Sequence, residues 1–221
     1  MIIFLGLFLI IVAISFILAY RSMQDFQEVP SIGKNGVYLI QNPVALTTDL
    51  ISDIGNKAQG EVVSFERLFK GAQSALVIFG PKQVLESFAE LNLLELEDYT
   101  GVPTPKLAWE MGIKNGGLEL TDSPFSALPQ FLTDEQLWWQ LILQNQVSWQ
   151  AQIRVVLVVN DPARQKELSS SLQKLAQVVK VPKPLSSEQI YRQYTKRVLS
   201  VLSQKPLLLT SEQILKLLGK S

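Results

Sequence analysis

The side chains of this sequence that are equipped for chemistry are mostly carboxylates, serines and basic groups, because it contains no His and no Cys. The usual general base, the commonest metal ligand and all thiol chemistry are therefore missing. Glu95, Glu97 and Asp98 stand together in "LELEDYT". On a strand, Glu95 and Glu97 share one face, as an acid/base pair or an all-carboxylate metal site requires. The same spacing describes the solvent face of an edge strand. Asp49 and Asp53 lie four apart, where on a helix they only repel. The serines of "SSSLQK" (169–174) lack both a strand-to-helix elbow and a histidine to activate them. "GPKQ" (80–83) is not a phosphate loop, and no Gly-x-x-x-x-Gly-Lys-Ser/Thr pattern occurs. No catalytic set assembles, so the sequence predicts a non-enzymatic protein without cofactor or metal.

The basic residues are the better candidates for contact. Arg192, Lys196 and Arg197, interleaved with Tyr191 and Tyr194, are near neighbours on one expected helix. Arg164, Lys166 and Lys174 decorate another. Residues 22–140 carry seven basic against sixteen acidic side chains, and residues 141–221 carry twelve against four, although the whole chain is neutral. The basic third can face anionic lipid, nucleic acid, an acidic partner or the acidic part of its own chain. Trp138, Trp139 and Trp149 have the chemistry of a base-stacking platform. However, residues 138–153 carry no charge, which suits a sheet core better. On a strand Trp138 and Trp139 face opposite ways, so one is expected inside and the other outside.

Placing these groups requires the elements. Met1–Tyr20 has no charged side chain, and twenty helical residues span ~30 Å, the thickness of a hydrocarbon core. This predicts a single transmembrane anchor (1–20) followed by a polar linker (21–36). Arg21 and Lys34 put the C-terminal part in the cytosol by the positive-inside tendency. Residues 37–102 then read strand, helix, strand, strand, helix, strand. The first helix is expected to open at Asn42-Pro43, with Leu46, Leu50 and Ile54 on one face. A turn is expected at Lys70–Gln73, and Pro81 is expected to open "KQVLESFAEL". That order is the ferredoxin-like βαββαβ plan.

"GVPTP" (101–105) marks a boundary to a second, variant α+β module (103–185). Its expected strands are "KLAWEMGIKN" and "GGLEL" around Asn115-Gly116-Gly117, then "EQLWWQLILQ", where the alternation of Gln140 and Gln144 with apolar neighbours favours a strand over a short buried helix, and "QAQIRVVLVVN". Asp161 caps a helix whose stripe is Leu168, Leu172, Leu175 and Val179. A C-terminal helical segment (186–221) carries two capping boxes, Ser186 with Gln189 and Thr210 with Gln213. The fold class is α+β with C-terminal helices.

The series "LLELEDYT", "QLWWQLILQNQVSWQAQIRVVL", "DPARQKELSSSLQKLAQ", "KVPKPLSSEQIYRQYTKR" and "PLLLTSEQILKLL" resembles the membrane-proximal region that precedes the ATPase in coupling-protein-like chains of type IV secretion and conjugative DNA transfer, as found in small-genome candidate bacteria. The resemblance implies an anchored accessory or truncated component of such an apparatus that docks a separate P-loop ATPase. The ATPase domain itself has no counterpart here, so no motor residue carries over. The expected partners are the membrane and a protein, and homo-oligomerisation is compatible with both. The alternative is a nucleic-acid-binding membrane subunit that uses Arg164, Lys166, Arg192, Lys196 and Arg197.

Overall fold

The computed structural model describes residues 34–101, 106–113, 123–146, 148–173, 175, 178–181, 185–200 and 206–220. The expected anchor, the linker up to Gly33, the "GGLEL" strand with its turn, and Lys174 lie outside them. Among the described residues, no helix is long and apolar enough to cross a membrane.

Among the described residues, alternating and β-branched runs build nine strands: β1 (Asn35–Ile40), β2 (Val62–Lys70), β3 (Gln73–Pro81), β4 (Leu93–Leu96), β5 (Lys106–Ile113), β6 (Gln136–Asn145), β7 (Trp149–Val158), β8 (Val178–Lys180) and β9 (Leu207–Leu209). They form one antiparallel sheet in the order β4-β1-β3-β2-β6-β7-β5-β8, with β9 also paired to β7. The protein is therefore mixed α+β around an antiparallel sheet. The division expected near residue 103 does not separate two bodies. Gly33–Ser221 forms one compact unit, because β2 pairs along its whole length with β6, from Val62↔Gln144 to Lys70↔Gln136.

The helices are α1 (Thr48–Lys57), α2 (Lys82–Leu85), α3 (Pro162–Leu172), α4 (Ser187–Lys196) and α5 (Ser211–Leu217). Local chemistry sets their ends. Asn42-Pro43 opens only a 3-10 turn (Pro43–Ala45), and α1 starts later, where the Thr47 hydroxyl accepts from the Leu50 N–H. Asn42 is not a cap; its side-chain amide donates to the Glu90 carbonyl. The expected 82–91 helix divides into α2 and a 3-10 turn at Ala89–Leu91. Its buried side chains Leu85, Phe88 and Leu91 recur every third residue, which is the 3-10 repeat. Helix α3 is capped as expected by Asp161, but it ends at Leu172. Val179 belongs to strand β8, where two consecutive β-branched residues favour extended backbone. Both C-terminal capping boxes form as read.

The sheet is covered on both faces. One face packs its main apolar core, including Phe65, Trp139, Leu141, Ile153 and Val155, against residues of α1, α3 and α5. The other carries Ala108, Trp138, Val156 and Val158 beneath Ile190 and Tyr194 of α4. Trp138 and Trp139 do point oppositely, yet both are inside, at 2% and 0% exposure. A strand covered on two sides has no outer face.

Trp149 is buried against α1. A Cβ at Gly55 would lie 2.4 Å from its Cζ2 and 2.9 Å from Asn145 Nδ2. Gly→Ala inside a helix gains about 1 kcal/mol of propensity, whereas overpacking a filled site costs about 1–3 kcal/mol. Gly55→Ala is expected to be net destabilising, seen as a lower midpoint in urea denaturation with an unchanged slope.

Candidate functional site

Four largely apolar strands place a polar side chain near their middle on the same face: Glu66 in β2, Gln140 in β6, Arg154 in β7 and Glu110 in β5. The register sets them directly opposite one another, as Glu66↔Gln140, Gln140↔Arg154 and Arg154↔Glu110. Cross-strand partners share a face, so the four form a polar row across the sheet on the side that α4 covers. All four are buried. Buried polar groups persist only when bonded or paired, and this row shows how that is done.

Gln140 Nε2 donates to Glu66 Oε1 (3.1 Å) and to the Tyr194 carbonyl (3.0 Å), while its Oε1 accepts from Arg154 Nη1 (3.4 Å). Arg154 Nη1 also donates to the Gln193 carbonyl (3.0 Å) and Nη2 to Gln152 Oε1 (2.7 Å). Its Nε lies 3.6 Å from Glu110 Oε1. Gln152 in turn bonds the backbone of Ser200, donating to its carbonyl and accepting from its N–H. The last carbonyls of a helix have no partner within it. At the end of α4, the sheet side chains supply partners for those of Gln193 and Tyr194, and two of the donors are cationic or aligned with cations, which suits the negative helix end.

Arg197 closes the arrangement. It follows α4 in a left-handed conformation (φ 51°) and donates from its own N–H to the Tyr194 carbonyl. That conformation turns its side chain back under the helix. Nε donates to Glu66 Oε1 (2.8 Å), and Nη1 lies 3.1 Å from Asp98 Oδ2. Ser64 Oγ donates to Glu66 Oε1 (2.6 Å), the Tyr99 hydroxyl donates to Glu66 Oε2, and Tyr99 and Tyr194 hydroxyls are 2.9 Å apart. Tyr99 also packs edge-on against Trp138. The result is a cluster of the Glu66 and Asp98 carboxylates, the Arg197 guanidinium and the phenols of Tyr99 and Tyr194, buried except at Asp98 and Tyr99. It is arranged to hold α4, with its groups engaged by the chain itself. Among the described residues, no group of three or more acidic side chains could hold a metal ion.

The residues read from sequence as a contact surface are dispersed. Arg197 is a correction: at 3% exposure it is an internal ion-pair partner and no part of a basic face. Arg164 is bridged to Glu135 (2.9 Å) and Glu167 (3.0 Å), and it donates to the Gln130 carbonyl. Arg192 is exposed and paired with Glu188 on its own helix. Lys166 and Lys196 are exposed. Glu95 is exposed and bridged to Lys82, and Glu97 is exposed beyond the end of β4. The polar row went unread in the sequence. Its signal lies in the sequence: Glu66 in "VVSFERLF", Gln140 in "LWWQLIL", Arg154 in "QIRVVLVV" and Glu110 in "LAWEMGI" each interrupt an apolar run, as Ser64, Arg67 and Gln152 also do.

No protein-family model matches the chain, and no curated protein matches it.

The cluster sets the pH response. Burial works against the Asp98 carboxylate, but Arg197 and the Thr100 N–H outweigh it and hold its pKa below the ordinary value. Glu135 is likewise opposed by burial and lowered by Arg164 and the Leu132 N–H. Burial, followed by the Glu66 charge, pushes the phenols of Tyr99 and Tyr194 well up. Burial also pulls Arg154 down to about 10 against the pull of Glu110, a penalty that eases only at high pH and partly offsets the tyrosines. Depressed carboxylates contribute stability above their unfolded pKa of about 4, and it is lost as pH falls through the folded values. Raised phenols contribute below about 10, and that stability is lost as pH rises through the folded values. With no His or Cys in the sequence, the thermal midpoint is expected to be flat between about pH 5.5 and 9. It should fall on both sides, with the alkaline fall accompanied by a cooperative rise in tyrosinate absorbance. A sloping midpoint near pH 7 would contradict this.

Proposed function

We propose that this chain is a membrane-tethered, non-enzymatic interaction module whose folded part presents a rigid surface to a cytosolic partner. The observation that carries the proposal is a contrast. Twenty residues without a charged side chain, Met1–Tyr20, precede a folded unit in which buried ionisable groups, Glu66, Glu110, Arg154 and Arg197, are engaged with one another and with the end of α4. A catalytic centre leaves reactive groups facing a cleft where substrate can reach them. Here this cluster of such groups lies under a helix and serves as its mount.

Within that unit we read 35–96 as a ferredoxin-like module. The strand order β4-β1-β3-β2 with antiparallel neighbours, and helical turns after β1 and β3, supports that reading. Strands β5 to β9 extend the same sheet. The partner we propose is a separately encoded P-loop ATPase of a type IV secretion or DNA-transfer apparatus. This part rests on the resemblance of the strand and helix segments quoted above. The orientation proposed has the folded unit on the cytosolic side of the inner membrane. The nucleic-acid reading is weaker, since Arg164 and Arg197 of its five residues are tied up in internal ion pairs with Glu135, Glu167, Glu66 and Asp98.

The tagged full-length chain is expected to sediment with membranes, resist an alkaline carbonate wash and dissolve in detergent. Deleting residues 1–20 should release it to the soluble fraction. Crosslinking in cells should recover a P-loop ATPase. A full-length chain found in the soluble fraction contradicts the tether. Recovery of nucleic acid alone, released by salt, favours the alternative.

A further inference from the structure

Arg67 occupies the wrong face for a surface cation. In β2 it alternates with Glu66, so its side chain starts on the apolar side of the sheet, directly opposite Leu76 on one flank and Trp139 on the other. It is about half buried. Its Nη2 donates to Ser74 Oγ (3.2 Å), and its guanidinium lies 5.9 Å from the Phe69 ring centroid. Its Nε is buried with no hydrogen-bond partner, and so is the indole Nε1 of Trp139, a residue with no exposed surface. Among the described residues Arg67 has no carboxylate within ion-pair distance.

A second cation approaches the same place. Lys220 follows α5, and its ammonium donates to the Pro43 carbonyl. Burial depresses its pKa first, and the charge of Arg67 depresses it further. Burial alone lowers Arg67. The surroundings are tightly built. Phe125 meets Trp139 edge-on (5.2 Å) and Phe69 at a tilt (5.2 Å), and Gly219 sits against the Phe125 ring.

Partly buried cations are ordinarily neutralised. Among the described residues, the buried charges on the opposite face follow that rule, through Glu66 with Arg197 and Glu110 with Arg154. A half-buried guanidinium without a carboxylate, a second cation whose ammonium it disfavours, and two unused N–H donors form a site lacking its negative charge. We propose that Arg67, Lys220 and Trp139 form a binding site for a small oxyanion, a carboxylate or phosphate group held by the Arg67 guanidinium. Guanidinium fits both geometries through paired N–H donors. The aromatic wall of Phe69, Phe125 and Trp139 lowers the local dielectric and strengthens the contact.

The test is thermal unfolding of the full-length chain in detergent, titrated with sodium acetate and with inorganic phosphate against sodium chloride at matched ionic strength. A saturable rise in the midpoint with either oxyanion, absent with chloride, is expected. A response to both points to carboxylate or phosphate alike, and a response to one identifies the class. Lys220→Gln, a change near the surface, should weaken the apparent affinity about tenfold, the loss expected of one charge-assisted contact. Arg67→Met should abolish the response while leaving the midpoint in chloride equal to or above that of the unaltered chain, because it removes an unpaired cation from an apolar face. No oxyanion-specific rise overturns the proposal, as does an equal rise in Lys220→Gln.

Discussion

The structure depends on one buried interaction, the ion pair between Glu66 at the centre of the sheet and Arg197 at the end of α4. Two charges taken out of water cost several kcal/mol each. The cost is met here by complete coordination. Glu66 accepts from Ser64, Gln140, Tyr99 and Arg197, and Arg197 reaches both Glu66 and Asp98. Reaching Glu66 also requires Arg197 to adopt a left-handed backbone (φ 51°), which costs a non-glycine residue about 1–2 kcal/mol. A well-packed apolar pair could match the net stability of such a salt bridge. What it could not match is the directionality. The apolar contacts of Ile190 and Tyr194 tolerate sliding of α4, whereas the bonds to the Gln193 and Tyr194 carbonyls do not.

This division of labour runs through both faces of the sheet. The face beneath α1, α3 and α5 is held by area, with Trp139, Phe65 and the β-branched residues of β7 filling the space. The face beneath α4 has a smaller apolar cluster and relies on the polar row. Because β2 and β6 are zipped from end to end, the row joins the first four strands to the later ones. Glu66 belongs to the former and Arg154, Glu110 and Arg197 to the latter. The polar row therefore also stitches together the two halves that composition and Pro-rich punctuation suggested were separate.

Much of this architecture was legible from local chemistry. Period-two alternation located β2, β3 and β6, β-branched content located β7, and reciprocal Ser/Thr and Gln side chains located the starts of α4 and α5. These signals act over a few residues and need no knowledge of the fold. The misreadings have the opposite character. One of Trp138 and Trp139 is expected outside the core and Arg197 on a basic helix face, and both expectations fail because burial there is decided by a distant segment. Val179 was counted as a helical stripe residue, yet pairing with Gly112 in β5 makes it a strand residue. The polar row is the instructive case. Polar residues inside four largely apolar strands are visible in the sequence, but only strand order and register bring Glu66, Gln140, Arg154 and Glu110 into line.

The most direct test is a double-mutant cycle on Glu66→Gln and Arg197→Met, read by chemical denaturation. Removing one partner of a buried pair is expected to cost about 3–5 kcal/mol. Removing both should cost well under the sum, leaving a coupling energy of about 2 kcal/mol or more, within the range for contacting residues. Native-state hydrogen exchange on either single variant should show the amides of 187–197 losing protection before those of α1. A coupling energy near zero, with α4 as protected as before, would mean that the pair is incidental and that apolar packing alone positions the helix.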